Sequence, residues 1–205
     1  MSDCGRRPAA ALLVIVLALA LSAGCALQSP AAQPRKALLT QLPAEVPRAS
    51  PGVAALLVFA PRSRPLYDTV RMAYQVQAHE VDYFSRNEWA ETPAQMLQPL
   101  LVKTLQDTGL FGAVVAPPYS GPFGWGLRTE VGELLADFTA DPAVLRLSLR
   151  LQLIDGASGR VVATREVAVR EPLRQRTPEA CIAAANAATA EALLEVARFA
   201  VETAH

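Results

Sequence analysis

The chain is poor in the residues from which most metal and catalytic sites are built. It contains two histidines and three cysteines in 205 residues, and a zinc or iron site usually takes three or four such ligands. No charge of one sign dominates, because 19 Lys and Arg balance 19 Asp and Glu. A nucleic-acid partner normally calls for a basic excess, and a disordered solubiliser for a large net charge; neither is present. The nucleophile-elbow pattern G-x-S-x-G and the phosphate-binding G-x-x-x-x-G-K are missing. Gly121, Gly124 and Gly126 stand in a loop, not at a strand–helix junction. His79 sits beside Glu80 in a strand-like stretch, which reads as a surface pair more readily than as a general base. Asp137 and Asp141 are close in sequence, but no partner across a cleft can be placed for them. No catalytic residue, metal or cofactor is therefore expected. A hydrophobic content of 52% supports one real core.

The N-terminal segment reads as an export signal. Arg6 and Arg7 give a positive start, Ala9–Leu21 is an unbroken apolar run of 13 residues, and Ser22-Ala23-Gly24-Cys25 closes it with small side chains. Thirteen residues are too few to cross a bilayer as a helix, which takes about 20. They match the hydrophobic region of a secretory signal. Leu21-Ser22-Ala23-Gly24-Cys25 resembles the bacterial lipobox, with Ser22 where Leu is commonest. That resemblance implies cleavage after residue 24, a diacylglycerol thioether on Cys25 and a further acyl chain on the new N-terminus. Two chains suffice for stable anchoring, at about 0.8 kcal/mol per buried methylene. Ala26, where inner-membrane lipoproteins often carry Asp, points by analogy to the periplasmic face of the outer membrane. The processed chain would keep 17 basic and 18 acidic side chains.

Processing also removes Cys4 and consumes Cys25, which leaves Cys181 without a disulfide partner. Its apolar neighbours Ile182 and Ala183–Ala185 offer no base, so it reads as a buried structural cysteine and not as a catalytic thiol. Residues 25–52 hold Pro30, Pro34, Pro43, Pro47 and Pro51 and read as a tether, with a possible edge strand at 36–42. One compact domain is expected over 53–205.

Within it, Val53–Phe59 reads as a buried strand, and Met72, Tyr74, Val76 and Ala78 alternate as a half-buried one whose partner is Val81–Phe84. Thr92-Pro93 starts a helix with Leu97, Leu100, Leu101, Thr104 and Leu105 on one face, and Gly109 is its left-handed cap. Pro99 does not fit that helix. A strand is expected over 127–138, with a bulge at Leu134-Leu135. Leu145, Leu147, Leu149, Leu151 and Leu153 alternate with polar residues as a strand, and residues 160–170 return as its antiparallel mate. Thr177-Pro178-Glu179 begins a C-terminal helix. The expected fold class is α+β, a mostly antiparallel sheet with two helices packed on one face.

Aromatic residues supply the remaining candidates. Tyr83 and Trp89 precede the first helix and suit the core between sheet and helix. Tyr119, Phe123 and Trp125 lie in a Pro- and Gly-rich loop and are candidates for contact with a partner or a lipid. Asp68-Thr69-Val70-Arg71-Met72-Ala73-Tyr74, Val81-Asp82-Tyr83-Phe84, Asn87-Glu88-Trp89-Ala90 with Pro93, and Leu105…Gly109-Leu110-Phe111 together resemble the ABC-type transport auxiliary lipoprotein family, which includes the paraquat-inducible protein C-like lipoproteins. Tyr74, Tyr83 and Trp89 are the motif residues.

The resemblance implies a non-enzymatic, outer-membrane-anchored periplasmic accessory of an intermembrane phospholipid transport system. Its implied partners are an MCE-domain protein and the ABC transporter or inner-membrane protein associated with it, and it implies a capacity to form homo-oligomers. The alternative, from a different class, is an outer-membrane adaptor that activates a cell-wall synthase or an envelope assembly machine.

Overall fold

A computed structural model describes residues 33–204. The signal segment, the Leu21–Gly24 motif, Cys25 and the first part of the expected tether lie outside the described residues. Among the described residues the nine strands are β1 (Arg35–Ala37), β2 (Ala55–Val58), β3 (Arg62–Ser63), β4 (Arg71–Gln75), β5 (Asp82–Trp89), β6 (Ala113–Val115), β7 (Trp125–Asp137), β8 (Val144–Asp155) and β9 (Val161–Pro172); the α-helices there are α1 (Pro93–Asp107) and α2 (Pro178–Thr203).

The long strand β7 organises the sheet. Along one edge it pairs with β8 antiparallel over its full length, and β8 pairs in turn with β9. This is the leucine ladder of the sequence, with Leu145 to Leu153 buried at alternate positions. Along the other edge β7 takes β2, β3 and β4 in succession, all parallel to it. The sheet is mixed, which corrects the expectation of a mostly antiparallel one. The reason lies in two short interruptions. Ala60-Pro61 and a 3-10 turn at Pro65–Tyr67 break a single extended run without reversing it, and proline cannot donate to a ladder. The run therefore continues beside β7 in one direction. β5 then turns back on β4, with β1 parallel beside it, and α1 carries the chain over to β6, parallel to β2. The bulge in β7 falls between Val131 and Glu133, at Gly132 and not at Leu134-Leu135.

Both helices cover the same face. At α1 the Thr92 hydroxyl accepts from the Gln95 amide while the Gln95 side chain accepts from the Thr92 amide, and Pro93 occupies the first turn. Leu97, Leu101 and Leu105 are fully buried beneath it. Gly109 has φ +68°, the left-handed cap that a side chain disfavours. Pro99 lies on the exposed side of α1, where water can satisfy the carbonyl that its missing N–H leaves free. In α2 the Thr177 hydroxyl accepts from Ala180, and Ala184, Ala185, Ala188 and Ala192 let the helix lie close to β8 and β9. This helix is long and apolar enough to span a bilayer, yet its apolar stripe is part of the protein core. Cys181 is buried in that stripe.

Residues 35–52, expected as tether apart from a possible strand, are laid against the domain. β1 is shorter than 36–42, and the chain then runs on as a strap. Ala37 and Leu39 enter the core. Asn186 of α2 accepts from the amides of Thr40 and Gln41 at 2.8 and 3.2 Å and donates to the Leu38 carbonyl at 3.0 Å. Further on, Ala49 and Gly52 donate to the carbonyls of Thr108 and Leu110 just after α1. Ala37, Leu39 and the partly buried Leu42, with one asparagine, outweigh the local preference of the prolines for free extended chain.

Candidate functional site

The helices leave the opposite face of the sheet uncovered, and the polar chemistry collects there. β8 presents Arg146 and Arg150 on this side, β7 presents Arg128, Glu130 and Glu133, and the broken run beside β7 adds Arg62 and Arg64. Arg146 is the best-held of these. Its guanidinium grips Glu133 with two nitrogens, at 3.1 and 2.6 Å, and donates to Asp137 at 3.0 Å. Asp137 also accepts from the Thr139 amide and hydroxyl, at 2.9 and 2.6 Å, and from Gln75 at 3.3 Å.

Burial alone would raise the Asp137 carboxyl. The Thr139 hydroxyl, the Arg146 guanidinium and the Thr139 amide outweigh it and hold the group below the ordinary carboxylate value. Arg146 is correspondingly raised, its desolvation overcome by Asp137 and Glu133. This is a closed, charge-satisfied network that locks the end of β7 to β8.

Beside it lies a small apolar cluster of Tyr67, Ala73 and Leu135, with Val81 and Tyr83 packed on it. Burial, with the Glu133 carboxylate as the next contribution, pushes the Tyr67 phenol up to about 12. Tyr83 belongs to this cluster: its hydroxyl donates to the Leu66 carbonyl at 3.0 Å and Arg71 stacks over its ring at 3.9 Å. It therefore does not fill the space between sheet and helices. Trp89 does, at 3% exposure. Tyr74 packs with Phe84 and Phe138 on the helix side, at ring-centre distances of 4.6 and 6.0 Å. The three motif residues thus serve two different cores.

Farther along the open face, a groove of about 900 Å³ is lined by residues that include Phe59, Arg62, Arg128, Glu130 and Arg150. Phe123 meets Phe59 edge-on at 6.0 Å and Arg128 lies over the Phe59 ring at 5.3 Å. The loop aromatics are thereby separated. Trp125 opens β7 and packs on the helix-side core, Phe123 joins Phe59, and Tyr119 stays partly exposed with its hydroxyl donating to the Pro122 carbonyl at 2.9 Å. Sequence spacing grouped three residues that the strand start distributes over two faces.

His79 is exposed at the tip of the β4–β5 hairpin with φ +69°. Burial pushes the Cys181 thiol up to about 11. Among the described residues no group of three or more His, Cys, Asp or Glu is arranged to hold a metal ion. Asn186, which ties down the strap, had no signal in the sequence beyond being a polar residue in a run of alanines.

Residues 37–197 match the family model described as ABC-type transport auxiliary lipoprotein component. The chain belongs to that family. Its members are lipoproteins, so an envelope protein with a membrane anchor is the class to which this auxiliary lipoprotein is assigned. The DUF330-family protein XCC0632 from Xanthomonas campestris has the same fold, with a TM-score of 0.70 and 22% identity over 83% of this chain and 95% of that one. A second solved structure, of an uncharacterized protein, aligns at a TM-score of 0.61 and 18% identity over 80% of this chain and 99% of the other. Among curated proteins none matches the chain.

Proposed function

We propose that this auxiliary lipoprotein is a non-catalytic, outer-membrane-anchored component of an MCE/ABC-type system that moves phospholipid between membranes. The observation that carries the reading is the family match over residues 37–197 together with the lipobox-like Leu21–Cys25 ahead of it. Acylated Cys25 would hold the domain to the periplasmic face of the outer membrane. The domain would act as an adaptor for an MCE-domain protein whose transporter partner lies in the inner membrane, alone or as a homo-oligomer. Its buried cysteine, its exposed hairpin histidine and its charge-satisfied Arg146 network suit a scaffold better than a reaction centre.

Affinity isolation of the full-length, tagged protein from detergent-solubilised, crosslinked envelopes tests this. An MCE-domain protein is expected in the eluate. Its repeated absence, with a penicillin-binding protein recovered in its place, would replace transport with the cell-wall reading.

A further inference from the structure

β9 is an edge strand. It pairs with β8 along one side, and among the described residues no strand pairs with the other. Leu173 donates to the Ala143 carbonyl at 2.8 Å, which fixes the alternation. The odd-numbered residues leading up to it exchange their backbone bonds with β8, and the even-numbered Thr164, Glu166, Ala168 and Arg170 turn theirs outward. All four are exposed. Such a row of free donors and acceptors is a template for another strand.

The order of the side chains says which strand fits. Counted outward from Ala168, Val167 matches Val169, Glu166 opposes Arg170 in charge, and Arg165 opposes Glu171. Two copies of this strand laid antiparallel, with a two-fold axis at Ala168, set each Glu166 against Arg170 of the other copy. Each Arg165 meets Glu171, Val167 meets Val169 on the helix side, and the small Ala168 meets itself. The outward backbone groups then face each other at Ala168 and at Glu166 with Arg170, so the ladder closes; Pro172, with no N–H to offer, ends it. Shifting the axis to Val167 or Val169 sets Glu166 against Ala168 or Pro172 and loses both charge pairs.

The surroundings leave these charges available. Arg170 lies across from Arg146, whose guanidinium is taken by Glu133 and Asp137, and among the described residues Arg170 makes no ion pair of its own. Glu166 touches Arg150 at 3.1 Å but keeps 72% of its side chain exposed. Arg165 is already held by Glu202 at 2.8 Å, so the pair of Glu166 with Arg170 is the selective one. Charges on an edge strand ordinarily discourage pairing. Here their order makes a second copy of the same strand the one that is attracted.

We propose that β9 is a self-pairing edge, through which two copies of this chain join their sheets antiparallel about Ala168. This pairing gives a surface to the homo-oligomer of the reading above and rests on that part of it alone.

The test uses the full-length lipidated protein in envelopes. Ala168→Cys places two thiols at a directly opposed pair, with Cα atoms about 5.5 Å apart and within disulfide reach; a dimer is expected on a non-reducing gel. Thr164→Cys is the register control. The axis sets its two copies about 25 Å apart along the strands, and no crosslink is expected. Glu166→Arg and Arg170→Glu, each alone, put like charges opposite each other twice. Each should weaken the dimer at least about tenfold, read by light scattering in detergent. Co-expression of these two variants restores both pairs with signs exchanged, so the dimer should return. Thermal melts report folding. For a variant that melts early, Ala168→Pro takes its place: it removes an outward N–H, leaves the bonds to β8 intact and should abolish the dimer.

A monomeric wild-type chain, equal crosslinking at Thr164→Cys and Ala168→Cys, or a co-expressed pair no better than either variant alone overturns the proposal. So does an Ala168→Cys crosslink to a different protein. An MCE-domain protein still co-isolated with a monomeric chain overturns the self-pairing and leaves the transport reading standing. Dimers of the predicted register without an MCE-domain protein uphold the self-pairing and count against transport.

Discussion

Replacing Asn186 with alanine should release the strap without unfolding the domain. The side chain makes three hydrogen bonds to strap backbone, to Leu38, Thr40 and Gln41, and a fourth within α2 to the Ile182 carbonyl. The strap groups can turn to water once released, so each bond is worth the lower end of the usual net range, about 0.5 kcal/mol. Three of them give about 1.5 kcal/mol of local stability. Alanine returns about 0.5 kcal/mol through its better helix propensity, so the global loss is about 1 kcal/mol, or a fall in Tm of about 2–4 °C for a domain of this size.

The local effect is larger and more specific. Amide hydrogen exchange at Thr40 and Gln41 should speed up about tenfold, while Leu97, Leu101 and Leu151 keep their protection. Leu39→Ala, which empties a site at 3% exposure, should cost more, about 2–3 kcal/mol. Free-chain exchange at Thr40 and Gln41 in the wild-type protein, or unchanged exchange in Asn186→Ala, would refute the strap.

Arg146→Ala deprives Asp137 and Glu133 of the cation they share and should destabilise by about 2–3 kcal/mol in urea titrations at pH 7. That is less than the loss of a fully buried pair, because Arg146 is 30% exposed. Since the folded Asp137 carboxyl is held below its ordinary value of 3.8, its contribution is complete above that value and is lost as pH falls through the depressed one. The gap between wild type and variant should therefore shrink below about pH 4, and a gap constant down to pH 2 would contradict the network. Thr129→Val replaces a buried hydroxyl that has no hydrogen-bond partner with a methyl group; it should raise stability by about 1 kcal/mol, read as an increase in Tm. Cys181, with its thiol raised to about 11 by burial, should resist alkylation at pH 8 in the folded protein and react fully in denaturant, followed by intact mass.

The local signals in the chain were the dependable ones. Thr92-Pro93, Thr177-Pro178 and Gly109 set helix limits through neighbouring backbone groups, and the Leu145–Leu153 alternation set both the face and the partner of β8. These features act over a few residues and are written where they act. The parallel alignment of β2, β3 and β4 along β7 has no such local mark, because parallel register depends on where distant segments meet. Pro61 and Pro65 look like terminators of structure, whereas they only interrupt a run that continues.

The strap was hidden for a related reason. Five prolines dominate the composition of residues 26–52, while the residues that tie the segment down are Leu39 and a single asparagine about 150 positions later. Of the two aromatics expected between sheet and helix, Trp89 lies in the core. Tyr83 was not, because the bulged β4–β5 pairing carries it to the face without helices. The loop aromatics were legible as unusual but not as separate, since the start of β7 divides Trp125 from Phe123.

The membrane address proposed for this lipoprotein depends on what is attached to Cys25. Intact-mass and N-terminal peptide analysis of the protein purified from envelopes measures this directly. The account predicts a mature chain that begins at Cys25 and carries a thioether-linked diacylglycerol and an N-acyl chain. A mature chain with an unmodified Cys25, or one that begins elsewhere, would contradict it.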